Sequence, residues 1–149
     1  MNKVYLGGIV SGLSYKEANG WREEAIKRLS CSGIVGVSPM RFKENLENED
    51  ILSPLGSERD VITSQKGIFI RDKQDILNCD VMLMNLLGAK TQSIGCSMEL
   101  GWANLLNKPT VVIMEPGNPN EHAFIYQTAD FLVESLLEAI DICGSILLY

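Results

Sequence analysis

Two stretches of the sequence place carboxylates where they could act together on a substrate. Glu99 lies in the first turn of a predicted helix, within the small-residue segment 93–101, and Asp72 and Asp75 lie on the helix before it. Glycosyl transfer needs such a pair, because one carboxylate attacks or stabilises the anomeric carbon and the other handles the leaving-group proton. The structural alternatives are a first-turn glutamate favoured by the helix dipole and a helix face that is simply solvated.

Further candidate residues follow the predicted strands, where ligands bind in parallel α/β sheets. They are Gly7 and Gly8 after the first strand, Ser93, Gly95 and Ser97 after the third, and Asn120 and His122 after the fourth. A helix start rich in hydroxyls and free N–H groups suits an anion or the hydroxyls of a sugar. The alternatives are a tight glycine turn and a surface histidine. The sequence contains neither the G-x-G-x-x-G fingerprint of dinucleotide sites nor a G-x-S-x-G elbow.

Short apolar strands alternate with helical segments along the chain. The spacing predicts strands over 4–8, 34–37, 81–85, 110–114 and 131–133, and helices over 15–29, 64–78, 96–106, 123–128 and 135–148, the first of them capped by Ser14. Because the strands lack a polar face, they predict a parallel sheet covered on both sides, in a doubly wound, flavodoxin-like α/β fold of about five strands. The polar loop 41–56 is a candidate lid or binding loop.

Length and composition limit the classes of protein to consider. With 149 residues, the chain is predicted to form one domain, 1–149, and its net charge of -6 argues against a nucleic-acid polymer as partner. No segment has the apolar length of a membrane span or the pattern of a signal peptide. Four scattered cysteines and one histidine predict no zinc site and no disulfide framework, which fits a location in the cytoplasm.

Several motifs in order resemble the nucleoside 2-deoxyribosyltransferase family, which includes the related 2'-deoxynucleoside 5'-phosphate N-hydrolases. The similarity is strongest over residues 71–83, where an aspartate-containing helix leads into an Asp-plus-apolar strand, and over residues 93–103, which contain Gly-x-x-x-Glu-Leu-Gly. The segments 4–8, 21–22, 38–41 and 120–133 also match. Each motif alone has low specificity, and the similarity depends on their order and spacing along most of the chain.

The resemblance implies roles for particular residues. Glu99 matches the catalytic nucleophile, Asp72 the acid that handles the proton of the base, and Tyr5 the tyrosine that holds the nucleophilic carboxylate. Ser93 matches the contact to the 5' end of the sugar, and Asn120 or His122 the amide contact near the base. The implied partners are nucleosides or nucleotides, free nucleobases and further copies of the chain in a homo-oligomer, with no metal or other cofactor.

The resemblance leaves two reactions open, because the transferases carry aspartate at the position of Ser93 and the phosphate hydrolases carry serine. One alternative is therefore an N-glycosidase acting on 2'-deoxynucleoside 5'-monophosphates, with Arg22 and Arg41 as additional phosphate partners. A second alternative is a non-catalytic nucleotide-binding domain on the same fold. A flavodoxin-like electron carrier that binds FMN is a third, although the loop after the first strand lacks an obvious phosphate-binding run of Ser and Thr.

Overall fold

The computed structural model describes residues 1–149 as a five-stranded sheet with five α-helices around it. The strands are β1 (Lys3–Gly8), β2 (Val35–Val37), β3 (Val81–Asn85), β4 (Thr110–Ile113) and β5 (Phe131–Val133). The helices are α1 (Tyr15–Ser30), α2 (Gln65–Asn78), α3 (Ile94–Leu105), α4 (Ala123–Thr128) and α5 (Leu136–Leu148). A short 3₁₀ helix, Glu44–Leu46, lies in the connection between β2 and α2. None of the helices combines the length and apolarity required to cross a bilayer.

The sheet is entirely parallel, with the strand order β2-β1-β3-β4-β5. This is the flavodoxin-like doubly wound order, so the predicted fold class is confirmed. In this order the chain reverses its direction of travel across the sheet between β1 and β3. A crevice therefore opens at the carboxyl ends of those two strands, next to Gly8 and Asn85, which are opposite each other in the ladder.

Successive side chains of the strands enter two separate apolar cores. Val4 and Leu6 of β1 pack on the face covered by α1 and α5, whereas Tyr5 points to the face covered by α2, α3 and α4. The neighbouring strands alternate in the same way, with Leu83 on the first face and Met84 on the second. Because side chains alternate along a strand, this register commits the phenol of Tyr5 to the side where α3 carries Glu99.

Serine residues begin four of the five helices. The hydroxyl oxygens of Ser14, Ser64, Ser93 and Ser135 each accept a hydrogen bond from a backbone N–H in the first turn of α1, α2, α3 and α5, respectively. The cap at Ser93 makes α3 begin at Ile94, two positions before the predicted start at Cys96. The cap predicted at Ser14 is confirmed, and Glu17 completes it as a capping box.

The connection between β2 and α2 is long but anchored. Leu52 is buried, and its backbone exchanges hydrogen bonds with Gly12 and Leu13, at 3.0 Å and 2.8 Å between nitrogen and oxygen. Its side chain joins Ala18 and Met40 in a small third apolar cluster. The predicted loop over 41–56 is therefore attached at its centre to the segment that follows β1, beside the crevice of the sheet.

Arg22 is the largest fully buried side chain, and it holds the end of β1 against α1. Its guanidinium donates hydrogen bonds to the carbonyl oxygens of Leu6 at 3.0 Å, Gly8 at 2.9 Å and Ala18. The planar group also stacks over the ring of Trp21. Because its donors are engaged by the backbone inside the core, the expectation that Arg22 contacts a phosphate is wrong.

Replacing Arg22 by Met should lower the free energy of unfolding by about 3 kcal/mol, because buried carbonyl oxygens would lose their donors. Urea unfolding followed by circular dichroism measures the change. Arg28→Met, on the same helix, is the matched control, since Arg28 pairs with Glu24 at the surface and its loss should cost less than about 1 kcal/mol. Equal losses in the two variants would contradict a structural role for Arg22.

Candidate active site

A cleft of about 320 Å³ lies between α2 and α3 and is also lined by residues 54–56 of the connection before α2. Asp72 from α2 and Glu99 from α3 both line it, together with Gly95, Met98 and Trp102. The ring of Trp102 packs edge-on against Phe69 at 5.3 Å between centroids and closes one wall. The cleft therefore has the size of a small-molecule site, with an apolar wall and two converging carboxyls.

A tyrosine of β1 holds the carboxylate of Glu99 in place. The hydroxyl of Tyr5 donates a hydrogen bond to Oε1 of Glu99 at 3.0 Å. Tyr5 is completely buried, and burial together with the charge of Glu99 raises the pKa of its phenol well above the usual value. The phenol consequently stays protonated and remains a hydrogen-bond donor at neutral pH.

Gly7 gives Glu99 the room that it occupies. A Cβ atom at this position would lie 3.1 Å from Oε2 of Glu99 and 2.7 Å from the terminal methyl carbon of Met84. Any side chain there would push on the carboxylate and on the core at once. Gly7 therefore adjoins the predicted nucleophile, whereas a Cβ at Gly8 would meet the packed groups of Asn85 and Trp21.

Of the two aspartates on α2, the structure turns Asp72 toward Glu99. Asp72 is buried, and its Oδ1 atom has no hydrogen-bond partner. Asp75, three residues later, instead receives two hydrogen bonds from Arg41, at 2.6 Å and 2.8 Å. This bidentate ion pair engages Arg41, so the expectation that Arg41 contacts a phosphate is not supported by its position.

Burial raises the pKa of both carboxyl groups in the cleft. The pKa of Glu99 rises to about 8, first because of burial and second because of the negative charge of Asp72; the hydrogen bond from Tyr5 opposes the rise. Burial raises the pKa of Asp72 to about 6, against the attraction of Lys43. Two interacting carboxyls titrate as a pair, so together they hold one proton around neutral pH, more often on Glu99, whose pKa is the higher.

The remaining predicted residues lie around α3. Gly95 lines the same cleft as Glu99, while Ser97, Asn120 and His122 line an adjoining groove of about 440 Å³ between α3 and α4. Ser93 lines neither space: its hydroxyl caps α3, and its N–H donates to Oδ1 of Asn120 at 2.8 Å. The exposed imidazole of His122 accepts from the N–H of Phe124 and caps α4.

Lys43 and Trp102 are residues of this region that sequence reasoning did not assign to it. Lys43 is only 5% exposed, although it lies in a segment whose charge predicts a solvated loop. No spacing or motif distinguishes it from neighbouring charged residues. Trp102 lies in the segment 93–103, which matches the family, one helical turn after Glu99. This spacing could have predicted that Trp102 lines the site. No group of three His, Cys, Asp or Glu side chains is arranged to hold a metal ion.

Known structures share this fold at low sequence identity. A 2-deoxyribosyltransferase from Bacillus psychrosaccharolyticus is 22% identical, with a TM-score of 0.63 over 93% of this chain and 90% of its own. The CMP N-glycosidase of Clostridium botulinum is 18% identical, with a TM-score of 0.57 over 98% and 100% of the two chains. A molybdenum cofactor binding protein from Rippkaea orientalis is 13% identical, with a TM-score of 0.61 over 97% and 96%. These similarities concern the fold alone.

Family assignment comes from the sequence. No protein of curated function matches the chain. The family model described as nucleoside 2-deoxyribosyltransferase matches residues 4–135, a range that contains β2 through β5, all of β1 except Lys3, and the whole cleft. The match agrees with the resemblance drawn from the motifs around Asp72 and Glu99. The chain therefore belongs to the nucleoside 2-deoxyribosyltransferase family.

Proposed function

We propose that this chain is a cytoplasmic enzyme that exchanges the base of 2'-deoxyribonucleosides through a covalent deoxyribosyl-glutamate intermediate. One observation carries the proposal: a tyrosine-held glutamate and an aspartate with an unpartnered oxygen line a single cleft. The family supports glycosyl transfer or hydrolysis as the kind of chemistry. A purely structural origin would not explain why Asp72 is buried without a partner beside a second carboxyl.

In the first step, the carboxylate of Glu99 attacks C1' of the sugar. The C1'–O bond forms as the C1'–N bond breaks, and the bonding electron pair leaves with the base. The reacting form is the one in which Glu99 is ionised and Asp72 holds the shared proton; it is the less populated form in the free protein, because the pKa of Glu99 is the higher of the two. In this form Asp72 gives its proton to the base and becomes a carboxylate. General acid assistance of this kind is worth about 10²–10⁴ in rate. The hydrogen bond from Tyr5 keeps the attacking carboxylate in one orientation.

In the second step, a nitrogen of an incoming base attacks C1' from the side that the first base left. The ester bond to Glu99 breaks and its electrons return to the carboxylate, while Asp72 takes up the proton of the incoming base. Water in place of the base gives free deoxyribose and makes the same site a hydrolase. Two successive displacements retain the anomeric configuration and give ping-pong kinetics.

The start of α3 favours a second candidate, an N-glycosidase for 2'-deoxynucleoside 5'-monophosphates. Ser93 caps this helix, and exposed Ser97 lies one turn further on. A helix start with hydroxyl groups suits a phosphate, even in a chain whose net charge is -6. The two candidates use the same carboxyls and differ in the 5' group and in the molecule that resolves the intermediate.

The experiment that tests the proposed function is a chromatographic assay with thymidine or thymidine 5'-phosphate, each with and without free hypoxanthine. The wild type should form deoxyinosine from thymidine and hypoxanthine. Glu99→Gln should lower this rate by about 10⁴-fold or more, because the nearly isosteric amide cannot form the ester. Glu24→Gln, on the exposed face of α1, is the matched control and should keep the wild-type rate.

Each outcome of this assay assigns a function. Thymine released only from the nucleotide, at a rate that hypoxanthine does not change, would replace the transferase by the N-glycosidase. Full activity of Glu99→Gln would refute the assignment of Glu99 as nucleophile. If neither substrate turns over with a broad set of bases, a non-catalytic binding domain becomes the better explanation.

The proton shared by the carboxyl pair predicts a bell-shaped dependence of kcat/KM on pH. Below about pH 6 both carboxyls are protonated and Glu99 cannot attack, whereas above about pH 8 both are ionised and no acid remains. Activity should therefore peak between these limits. Asp72→Asn should remove the alkaline limb and leave an acid limb set by Glu99 alone, whose pKa falls below about 8 because the neighbouring negative charge is gone. A wild-type profile in Asp72→Asn would contradict the pairing.

We also propose that the chain forms a homo-oligomer through α3 and α4. Four large apolar side chains are exposed on this side: Ile94, Met98, Leu105 and Phe124. Light scattering after size exclusion should give a mass of at least two chains, and Leu105→Glu should reduce it to one, because a charge at a buried contact is costly. Leu137→Glu, on α5 at the opposite face of the sheet, is the control and should leave the mass unchanged. A monomeric wild type would refute this proposal.

A further inference from the structure

Lys43 is a largely buried lysine that makes no ion pair. Its side chain lies in the connection between β2 and α2 and is 5% exposed. No carboxylate oxygen lies within 4.0 Å of its ammonium group, since the ion pairs of the protein involve Arg28, Arg41 and Arg59 instead. The ammonium group also makes no hydrogen bond, and burial lowers its pKa. The fully buried side-chain atoms without a hydrogen-bond partner are Nη1 of Arg71 and Oδ1 of Asp72, so the ammonium of Lys43 keeps some contact with solvent in the cavity that it lines. It is therefore free to bind a polar group of a ligand there.

The segment that carries Lys43 packs against α2 beside Asp72, because the side chain of Arg41 pairs with Asp75 and the carbonyl oxygen of Arg41 accepts a hydrogen bond from Arg71. Among charged groups, Lys43 has the largest effect on the pKa of Asp72, and Asp72 has the largest effect on that of Lys43. Its effect on Glu99 ranks behind those of Asp72, Tyr5 and Arg22. Since no direct ion pair forms, a gap separates an unpartnered ammonium from the unpartnered Oδ1 of Asp72.

A cavity extends from this gap beneath the anchored loop. Lys43 lines a space of about 210 Å³ whose walls include Met40 and Leu52. This cavity adjoins the cleft of Asp72 and Glu99, because Gly56 and Ile68 line both spaces. Two other charged residues line the cavity, Glu49 and Arg59, and they pair with each other at 2.7 Å. Lys43 is therefore the cavity's one unpaired charge.

We propose that Lys43 selects nucleobases that carry a carbonyl oxygen next to the ring atom protonated by Asp72. The inference rests on the proposed function, in which Asp72 faces the departing base. A base placed in the gap would offer one acceptor to the acid of Asp72 and a second acceptor, the carbonyl oxygen, to the ammonium of Lys43. Hypoxanthine has this pair at N7 and O6. Adenine carries an amino group in place of O6, so its N–H donors would face the N–H donors of the Lys43 ammonium with no acceptor between them.

The same contact would favour departure of the base. As the C1'–N bond breaks, the electron pair left on the base spreads onto its carbonyl oxygen. An ammonium held in place beside the base stabilises that charge more in the transition state than in the bound substrate. Lys43 would therefore increase kcat with oxo bases as well as their binding. A residue with a structural role alone would not distinguish one base from another.

The test compares 2'-deoxyinosine with 2'-deoxyadenosine, which share the sugar and the purine ring and differ in the group on C6 and in the proton on N1. We expect the wild type to favour deoxyinosine in kcat/KM, and Lys43→Met to lower the ratio of the two values by about 10- to 100-fold, the effect of one charge-assisted hydrogen bond. Lys43→Arg keeps a cationic donor and should restore part of the preference. Lys73→Met is the matched control, since Lys73 is exposed on α2 beside Asp72 in sequence, and should keep the ratio.

Calorimetric titration of each protein with free hypoxanthine and free adenine gives a readout that does not depend on turnover. Selective binding of hypoxanthine by the wild type, lost in Lys43→Met, would support the inference even if the proposed reaction failed. Equal losses for both nucleosides, or an unchanged ratio in Lys43→Met with Glu99-dependent turnover intact, would overturn the role of Lys43 and leave the proposed function standing. If Lys43→Met does not fold, the wild type alone tests the inference: a preference for adenine over hypoxanthine would overturn the role of Lys43.

Discussion

The hydrogen bond between the phenol of Tyr5 and the carboxyl of Glu99 is the contact on which the arrangement of the site depends. It requires Tyr5 to point away from α1, which the alternation of β1 ensures by burying Val4 and Leu6 on the opposite face. It also requires an empty position at Gly7, because any Cβ there would displace Glu99. One strand of six residues thus carries the support for the carboxyl and the space that the carboxyl fills.

Two partly desolvated carboxyls in one cleft repel each other when both are ionised, and the surrounding residues limit that cost without neutralising the pair. Arg22 lies nearby but donates to backbone carbonyls, and Arg41 pairs with Asp75. Lys43, the cation with the largest effect on the pKa of Asp72, makes no ion pair with it. The cations therefore lower the pKa values of the two carboxyls only partly, and the pair retains a proton that a fully paired carboxylate would have lost. A shared proton near neutral pH is what an acid and a nucleophile in one step require.

Much of the fold could be predicted from the sequence, because buried parallel strands and serine-capped helices leave local patterns. The five strands, the order of helices and the match to the family motifs around Glu99 follow from such patterns. The local pattern could not separate Asp72 from Asp75, since both lie on similar faces of α2; the family resemblance pointed to Asp72, and in the structure the ion pair of Arg41 with Asp75 separates the two. The burial of Lys43 and Arg22 could not be predicted either. A basic residue in a polar segment or on a helix is expected to be solvated, and only the tertiary packing shows that these two are buried.

The anchored connection between β2 and α2 has a consequence for how this protein could diversify. Asp72, Glu99 and Tyr5 stand on two helices and a central strand, whereas Lys43 and the wall around it belong to irregular chain attached at Leu52. Substitutions in irregular chain disturb a packed core less than substitutions in a helix or strand. Descendants of one ancestral gene could therefore exchange one nucleobase preference for another by altering this segment, while inheriting the bond-breaking machinery unchanged.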